Sequence, residues 1–546
     1  MFPVLESLLN RMSVAFAGEV SAADLIHWAA ERWPNRTMLF LDAPLDYGLD
    51  GSTQLTAAET FVLVNKMANV LLALGVRRFE RVAIYKSNAP DYLLWSCAIM
   101  QLGAISVPIH SAMSLEVLKG YLDYTGASIL ITDGDTYTTR IGSPANLPQI
   151  QRWLFPKAPT GSGVEMVSVR GLLEEAKSTF ARVRLHADSH VLIAHTSGTT
   201  GVPKGVLCTS GSLVASAKYL AKFLPATRMA RAATAFPYNH KITHDCLLGT
   251  FLSGFPLWTV TSKEGAEILN LLAREKITAF ASFPDILLNM AAEGLSKYDL
   301  SAIRIWMSAG DASHEAHMKE FVHSSGSALL GPVYVETVGT SEVGAPALAR
   351  FFTRWSAIKG QRLVGRKLPW GPKVKVADAE GKSLRPGEVG RLMIKGDTLF
   401  SGYWNAHDRL HGVYLDGWWW TGDLVRRDRW GRHYHLDREA DVIETQRGRA
   451  YSLIIEEMLL RHPAILEAVV LCVSREEAPV VLALVNLKPC ATATTRELRE
   501  WANSVLRPEE LIDEVEIVPN AAIDRGLTGK VLKRQLRTKF SKLAAA

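Results

Sequence analysis

Cysteine is scarce in this chain and shows no pairing pattern. The 546 residues include five, namely Cys97, Cys208, Cys246, Cys472 and Cys490, and no two of them stand as CxxC. The odd number and the wide spacing argue against a disulfide framework and against a cysteine-based metal site. This usage predicts reduced thiols in a cytoplasmic protein.

Long apolar runs and blocks of like charge are also missing. The most apolar candidate segment, residues 93–109, is interrupted by Ser96, Gln101 and Gly103, which predicts a buried helix and strand instead of a membrane span. The net charge is only +6, and no basic block is interleaved with aromatic residues, so nucleic acid is not expected as a partner. The N-terminal residues do not show the pattern of a signal peptide.

The chain does contain the pattern of a layered α/β protein. With 48% hydrophobic and 21% charged residues, it is long enough for a large core and a smaller companion domain. A helical pattern at residues 57–74 is followed by a short apolar strand at 82–85, and residues 358–437 predict a β-subdomain. We therefore predict a large N-terminal domain, residues 1–436, and a small α+β C-terminal domain, residues 437–546.

The stretch from His195 to Val206 reads HTSGTTGVPKGV. Its glycines let backbone N–H groups approach an anion, its hydroxyls donate hydrogen bonds, and its lysine adds a positive charge. It follows an apolar run, residues 191–194, and the connection that leaves a buried strand is where open α/β sheets bind ligands. The stretch predicts a nucleotide phosphate loop that differs in spacing from GxxxxGK[ST]. Its candidate nucleotide-binding residues are Thr196, Ser197, Gly198, Thr199, Thr200, Gly201 and Lys204.

This loop resembles the TSGTTGxPKG loop of the adenylate-forming superfamily, which includes acyl-CoA synthetases, carrier-linked adenylation domains and beetle luciferases. Further stretches are similar in order and spacing, so the resemblance covers nearly the whole chain and is nearest to AMP-dependent acyl-CoA synthetases. These stretches are SAGDAS at 308–313, VETVGTSE at 335–342, GWWWTGDL at 417–424, DREAD at 437–441 and LTGKVLKR at 527–534. The resemblance implies a large domain of α/β subdomains with a β-subdomain, and a mobile C-terminal lid.

The resemblance also implies roles for residues around the nucleotide. Glu342 would bind Mg²⁺, a hard cation that prefers oxygen ligands, and Ser341 would donate to the α-phosphate. Gly310 and Asp311 belong to the small-residue loop that flanks adenine. Val338 stands where relatives carry the aromatic residue that stacks on adenine.

Four further residues complete the implied site. Asp423 would accept hydrogen bonds from the two ribose hydroxyls, and Arg438, at the hinge of the lid, would lie near the ribose and the phosphates. Lys530 would be the catalytic lysine, whose cation bridges the attacking oxygen and the α-phosphoryl oxygens as charge shifts toward pyrophosphate. His240 would lie at the acid pocket.

The implied chemistry has two half-reactions. Mg-ATP and a small-molecule acid give an acyl-adenylate and pyrophosphate, and the lid then rotates so that a nucleophile displaces AMP. The residues after His240 do not decide which acid is activated. Lys241, His244 and Asp245 either make the acid pocket polar or point to solvent. Arg447 stands where relatives carry a glycine, and this departure argues against a pantetheine tunnel.

We therefore hold several functional hypotheses. The first is an AMP-forming acid–CoA ligase for a small or aromatic acid, with ATP, Mg²⁺ and CoA as cofactors. The second keeps the adenylation and changes the acceptor, as in a nitrite-activating diazotase of natural-product biosynthesis or an enzyme that loads a carrier protein. The third is a nucleotide-binding protein without turnover. The expected state is a monomer or a homodimer.

Overall fold

The structure is a computed structural model that describes most of the chain. The described residues are 20–45, 47, 51–156, 167–196, 203–222, 230–324, 331–357, 361–406, 408, 413–475, 478–526 and 529–542. Five residues predicted for the phosphate loop, namely Ser197, Gly198, Thr199, Thr200 and Gly201, lie outside them.

Strands and helices alternate through the first two thirds of the chain. The strands are β1 (Thr37–Leu41), β2 (Gln54–Thr56), β3 (Arg81–Ile84), β4 (Ile105–Pro108), β5 (Ile129–Ile131), β6 (Arg152–Phe155), β7 (Val167–Ser168), β8 (His190–His195), β9 (Gly205–Thr209), β10 (Ala232–Thr234), β11 (Leu257–Thr259), β12 (Ala279–Ser282), β13 (Ile305–Ser308), β14 (Val333–Val338) and β15 (Leu348–Phe352). The helices are α1 (Leu25–Arg32), α2 (Ala57–Ala73), α3 (Asp91–Gln101), α4 (Leu115–Thr125), α5 (Gly134–Thr136), α6 (Val169–Glu175), α7 (Ser210–Ala221), α8 (Lys241–Ser253), α9 (Gly265–Arg274), α10 (Pro284–Ala292) and α11 (Glu315–Val322).

The rest of the chain is mainly β until it reaches the C-terminal helices. Its strands are β16 (Leu363–Lys367), β17 (Lys373–Ala377), β18 (Val389–Lys395), β19 (Gly402–Tyr403), β20 (Tyr414–Leu415), β21 (Trp418–Arg427), β22 (His433–Arg438), β23 (Ile443–Thr445), β24 (Gly448–Ala450), β25 (Ile465–Arg475), β26 (Ala478–Leu487) and β27 (Glu514–Ile517). Its helices are α12 (Ser452–Leu459), α13 (Thr495–Val505) and α14 (Lys533–Lys542).

Two large sheets organise the body of the molecule. The first sheet has a parallel part that contains β3, β4, β5, β6 and β7. On its other side β4 pairs in parallel with β8, and β8 pairs with the antiparallel strand β9. In the second sheet β12, β13 and β14 are parallel neighbours, and antiparallel strands extend this sheet through β15 and β16 into the β-subdomain. The carboxyl ends of β12, β13 and β14 therefore meet at one edge, which is where the site is found.

Local sequence explains why several of these elements form. Thr56 caps α2, since its hydroxyl accepts from the N–H of Glu59 at 3.2 Å while the Glu59 carboxylate accepts from the N–H of Thr56 at 2.8 Å. Helix α3 is buried along its whole length, and β4 after it is buried at every residue. The prediction of a buried helix and strand at residues 93–109 is confirmed. No helix among the described residues is long and apolar enough to cross a membrane.

The C-terminal region has hydrophobic cores of its own. Strands β25, β26 and β27 form a three-stranded sheet, with α12 and α13 packed on one cluster of buried residues and α14 on another. Strand β22 carries residues on both sides of the predicted boundary between 436 and 437, and that boundary stays a prediction. The five cysteines are unpaired, and burial raises the pKa of the Cys97 and Cys208 thiols to about 12.

Candidate active site

Two adjoining cavities open at the carboxyl edge of β12, β13 and β14. The larger has a volume of about 350 Å³ and the smaller about 170 Å³. Residues that directly follow the three strands line them, and the cavities share part of their wall. The shared lining residues include Gly310, Thr340, Arg438 and Lys530.

Every described residue that the sequence analysis assigned to the site lines one of these cavities. The larger cavity is lined by Thr196, Lys204, His240, Ser341 and Glu342. Asp311 and Asp423 line the smaller one, together with Val338. The structure therefore brings these residues together, and their roles stay predictions.

Tyr403 contacts Lys204 and Glu342, two residues that line the larger cavity. The hydroxyl of Tyr403 donates to Oε1 of Glu342 at 2.9 Å, and Nζ of Lys204 lies 5.1 Å from the centre of the Tyr403 ring. The N–H of Thr196 donates to the carbonyl of Lys204 at 3.1 Å, which closes the two ends of the phosphate loop on each other. A cation and a carboxylate thus face the same space.

Asp423 and Arg438 stand opposite each other on β21 and β22. Nε of Arg438 lies 2.9 Å from Oδ1 of Asp423, and Nε2 of His435 lies 3.4 Å from the same oxygen. Burial disfavours the charged carboxylate, but Arg438 and His435 outweigh it and hold the pKa of Asp423 well below its usual range. Asp423 is therefore an ionised acceptor, as a ribose-binding carboxylate must be.

Two glycines allow backbone to approach the site closely. Gly310 has φ +89°, and a Cβ there would lie 2.7 Å from the ring of Phe283. Gly529 has φ +76°, and a Cβ there would overlap the carboxylate of Asp285 on α10. Only glycine fits at either position, and Gly529 sets the loop of Lys530 against the large domain.

Lys530 extends from this loop into the wall that both cavities share. The N–H of Gly526 donates to the carbonyl of Lys530 at 2.8 Å, and Nη1 of Arg525 donates to the carbonyl of Gly529 at 3.2 Å. The positive charge of Arg438 and burial lower the pKa of Lys530, and the nearby carboxylates of Asp311 and Asp423 oppose that shift. A cation at this junction faces both cavities.

His240 and the helix that it begins line the larger cavity. Nδ1 of His240 accepts from the N–H of Ile242 at 3.4 Å, which leaves Nε2 to carry the ring hydrogen. Burial, followed by the neighbouring His195 and His244, lowers the pKa of His240 to about 3, so its ring is neutral.

Lys241, His244 and Asp245 are all buried, so the reading in which they point to solvent is wrong. Nζ of Lys241 lies 3.0 Å and 2.7 Å from the two carboxylate oxygens of Asp245, and Lys241 and Asp245 both line the larger cavity. Nε2 of His244 lies 2.9 Å from the hydroxyl of Ser96. The wall of the larger cavity is polar because this ion pair lies in it.

Arg362 and Glu457 form a buried charged cluster that the sequence analysis missed. Arg362 is 1% exposed, and its Nη2 lies 3.3 Å from Oε1 of Glu336 while its Nη1 lies 3.7 Å from Oε2 of Glu457. Nδ1 of His314 lies 2.9 Å from Glu457 Oε2, and the N–H of Glu315 donates to Glu457 Oε1 at 2.9 Å. This cluster joins α12 to the large domain, and no sequence motif marks it.

The start of α12 is held by a second set of polar contacts. The N–H and the hydroxyl of Ser452 donate to Oδ2 of Asp437 at 2.6 Å and 2.7 Å. Nζ of Lys533 lies 2.7 Å from Oε1 of Glu456. Lys533, three residues after Lys530, lines the smaller cavity and is ion-paired within the small domain.

Comparison with known proteins agrees with this geometry. The family model of the AMP-binding enzymes matches residues 26–404, and that of the AMP-binding enzyme C-terminal domain matches residues 454–530. The chain is 29% identical to 3-aminoavenalumate diazotase of a Streptomyces species, covering 90% of each chain, and 29% identical to 3-amino-2-hydroxy-4-methoxybenzoate diazotase of Streptomyces cremeus, covering 86% of this chain and 88% of the relative.

An acyl-CoA ligase and a solved structure are also similar. The chain is 25% identical to the long-chain-fatty-acid–CoA ligase FadD13 of Mycobacterium tuberculosis, covering 89% of this chain and 93% of the relative. It superposes on the crystal structure of the anthranilate CoA ligase AuaEII in complex with anthranoyl-AMP with a TM-score of 0.85 at 22% identity, covering 96% and 98% of the two chains. The chain therefore belongs to the AMP-binding enzyme family and is an adenylate-forming, AMP-forming ligase.

Proposed function

We propose that this enzyme activates nitrite with ATP and passes the nitrosyl group to an aromatic amine, as a diazotase does. The observation that carries the proposal is the Lys241–Asp245 ion pair in the wall of the acid cavity. A long acyl chain in this cavity would deprive the ion pair of water and of any further polar partner, which is costly in a buried site. Nitrite has only three heavy atoms, so it leaves most of a cavity of about 350 Å³ for a second, polar reactant.

In the first half-reaction a nitrite oxygen attacks the α-phosphorus of ATP and pyrophosphate leaves. Lys530 lies where it can neutralise charge on the attacking oxygen and the α-phosphate together. Asp423 accepts from the ribose hydroxyls, while Arg438 holds that carboxylate ionised. Lys204 stabilises the leaving phosphates.

Mg²⁺ fits beside Glu342. The carboxylate faces the larger cavity and is oriented by the hydroxyl of Tyr403. Among the described residues no cluster of three or more histidine, cysteine or acidic side chains could hold a metal by itself, so phosphate oxygens and water would complete the shell. The ion, when bound, offsets phosphate charge.

In the second half-reaction the amine nitrogen attacks the nitrosyl nitrogen. The N–N bond forms, the bond from the nitrosyl nitrogen to the AMP oxygen breaks with its electron pair staying on AMP, and the amine loses a proton. The N-nitrosamine then rearranges to the diazohydroxide, whose hydroxyl takes up a proton from solvent and leaves as water to give a diazonium ion. The similarity to two diazotases supports this acceptor.

Acid–CoA ligation, our first hypothesis from the sequence, becomes the second candidate. The similarity to the ligase FadD13 favours it. Against it, Arg447 stands where relatives carry a glycine, and its guanidinium is ion-paired with Asp513 at 2.7 Å beside the outer strands of the small domain. A side chain of this size at a position where relatives carry a glycine argues against a pantetheine tunnel there.

The test is ATP–pyrophosphate exchange with nitrite and with a panel of short, aromatic and long-chain carboxylic acids. Each acid is then assayed for AMP release with CoA or with aromatic amines. We expect exchange with nitrite, and AMP release that depends on the amine and not on CoA. Exchange with a carboxylic acid alone, followed by CoA-dependent release, would replace this proposal with the CoA ligase.

A further inference from the structure

The Lys241–Asp245 pair leaves the carboxylate with acceptor capacity unused. The two residues lie one turn apart on α8, are at most 2% exposed, and both line the larger cavity. In the part of the chain that the structure describes, Lys241 is the one group that donates hydrogen bonds to the Asp245 carboxylate. A carboxylate can accept about four hydrogen bonds, so Asp245 can accept further ones from a ligand in the cavity.

A second buried pair of the same residue types shows what a purely structural arrangement looks like here. Nζ of Lys86 lies 2.8 Å from Oδ1 of Asp91, and the other carboxylate oxygen accepts from the hydroxyl of Tyr47 at 2.6 Å. Neither Lys86 nor Asp91 lines the two site cavities. The two Asp91 oxygens accept from two different protein groups, whereas both Asp245 oxygens share the single donor Lys241 and the residue lines a cavity.

The electrostatics of Asp245 suit proton uptake. Burial raises the pKa of Asp245 to about 6, and the opposing charge of Lys241 does not cancel this effect. The other titratable groups that interact with it are the thiols of Cys208 on β9 and Cys246 on α8, and burial raises the pKa of both to about 12, so they stay neutral. Asp245 can therefore change protonation state close to neutral pH.

We propose that Asp245, oriented by Lys241, binds the amino group of the aromatic amine and takes up the proton that this nitrogen loses when the N–N bond forms. The inference rests on the proposed function, because it needs an amine as the acceptor. The electron balance is that of the second half-reaction: the amine lone pair makes the N–N bond, the electrons of the broken N–O bond stay on AMP, and the proton goes to a carboxylate oxygen of Asp245. Lys241 keeps its charge and holds the carboxylate in place.

The test compares two half-reactions in Asp245→Asn. The first is nitrite-dependent ATP–pyrophosphate exchange, and the second is amine-dependent product, trapped as an azo dye, with aniline and the meta- and para-aminobenzoates as probes. We expect the ratio of the second rate to the first to fall about a hundredfold, the scale of losing a general base. In the wild type the second rate should rise with pH through about 6 and then level, and in the variant this rise should be absent.

Two further variants keep the test interpretable. Asp245→Asn leaves the Lys241 charge buried without its partner, which can prevent folding. If the single variant does not fold, the double variant Lys241→Met with Asp245→Asn is used in its place. Lys86→Met combined with Asp91→Asn is the matched control, which should lower stability and leave the ratio of the two rates as in the wild type.

The outcomes separate the two proposals. If both half-reactions fall in equal proportion in the Asp245 variants, or if the pH profile is unchanged, the pair is structural and the inference is wrong. If nitrite supports exchange but no amine gives product, Asp245 has no amine to bind, and the inference is equally wrong. If nitrite supports no exchange while a carboxylic acid does, the proposed function itself fails.

Discussion

At the scale of single residues, Lys530 is the side chain whose position carries most of the chemistry. It lies in the wall that the two cavities share, with Arg438 close enough to lower its pKa. A charge at this point acts on the transition state of adenylation, where the attacking oxygen and the α-phosphate carry negative charge together.

Lys530→Ala should therefore lower the rate of adenylate formation by about a hundredfold or more, with ATP binding nearly unchanged. Pyrophosphate exchange measures the first quantity, and titration calorimetry with ATP measures the second. Lys539→Ala, a lysine of α14 that pairs with Asp524 at 3.2 Å, is the control and should behave as the wild type. Equal losses in the two variants, or a large loss of ATP affinity in Lys530→Ala, would contradict this role.

Residues directly after strands could be predicted from the sequence, because the carboxyl edge of a parallel sheet collects them. Gly310 follows β13, and Thr340 to Glu342 follow β14, so neighbouring motifs become neighbouring side chains. Whether the side chains of Lys241 and Asp245 point into the protein or to solvent could not be predicted. Helix α8 is buried on nearly every face, so hydrophobic periodicity has no polar side against which to orient them.

At the scale of elements, helix α12 is the part of the small domain that contacts the large domain through buried charge. Glu457 on α12 is 1% exposed and faces His314 and Arg362 of the large domain. Residues 362 and 457 are far apart in the chain, and only the tertiary fold makes them neighbours. This is why a single sequence did not reveal the cluster.

Glu457→Gln removes the charge from α12 while it keeps the shape of the side chain. A hydrogen bond to a charged group contributes about 1.5–3 kcal/mol, so we expect a loss of stability of that order in urea unfolding. Glu500→Gln on α13, whose partner Arg496 lies 3.9 Å away at the surface, should cost less than about 1 kcal/mol. Equal effects of the two substitutions would show that the α12 contact does not stabilise the closed lid.

The contribution of Glu457 should also depend on pH. Burial alone would raise its pKa, but the hydrogen bond from His314 and the charge of Arg362 lower it from 4.5 to about 2. A carboxyl whose pKa is lower in the folded protein stabilises the fold above its ordinary pKa and loses that effect as pH falls. The stability difference between wild type and Glu457→Gln should therefore be full above about pH 4.5 and shrink toward pH 2, as measured by unfolding at a series of pH values.

At the scale of the whole molecule, the small domain is joined to the large one mainly by polar contacts near the site. Its hydrophobic clusters are its own, and among the described residues of the large domain Ala316 is the one that packs against them. A joint of this kind suits a lid that rotates between two half-reactions, as we proposed from the sequence.

Limited trypsin digestion should first cut the chain at the β23–β24 hairpin, where Arg447 and Arg449 are exposed. The product should be a C-terminal fragment of about a hundred residues, and ATP with Mg²⁺ should slow its release by holding the lid closed. Gel electrophoresis and mass spectrometry identify the cut. First cleavage elsewhere, with this hairpin protected with and without nucleotide, would contradict a mobile lid.

The polar joint between Glu457 and the large-domain residues His314 and Arg362 also sets what one opening of the lid costs. Separating these groups exposes charges to water and opens no apolar core, so the free energy is mostly a balance between lost ion pairs and regained hydration. Dissolved salt acts directly on that balance, since screening weakens charge pairs as they part. With the lid rotation that we propose, we expect the ionic strength of the surroundings to adjust how often the cleft opens, while the hydrophobic cores of both domains stay intact.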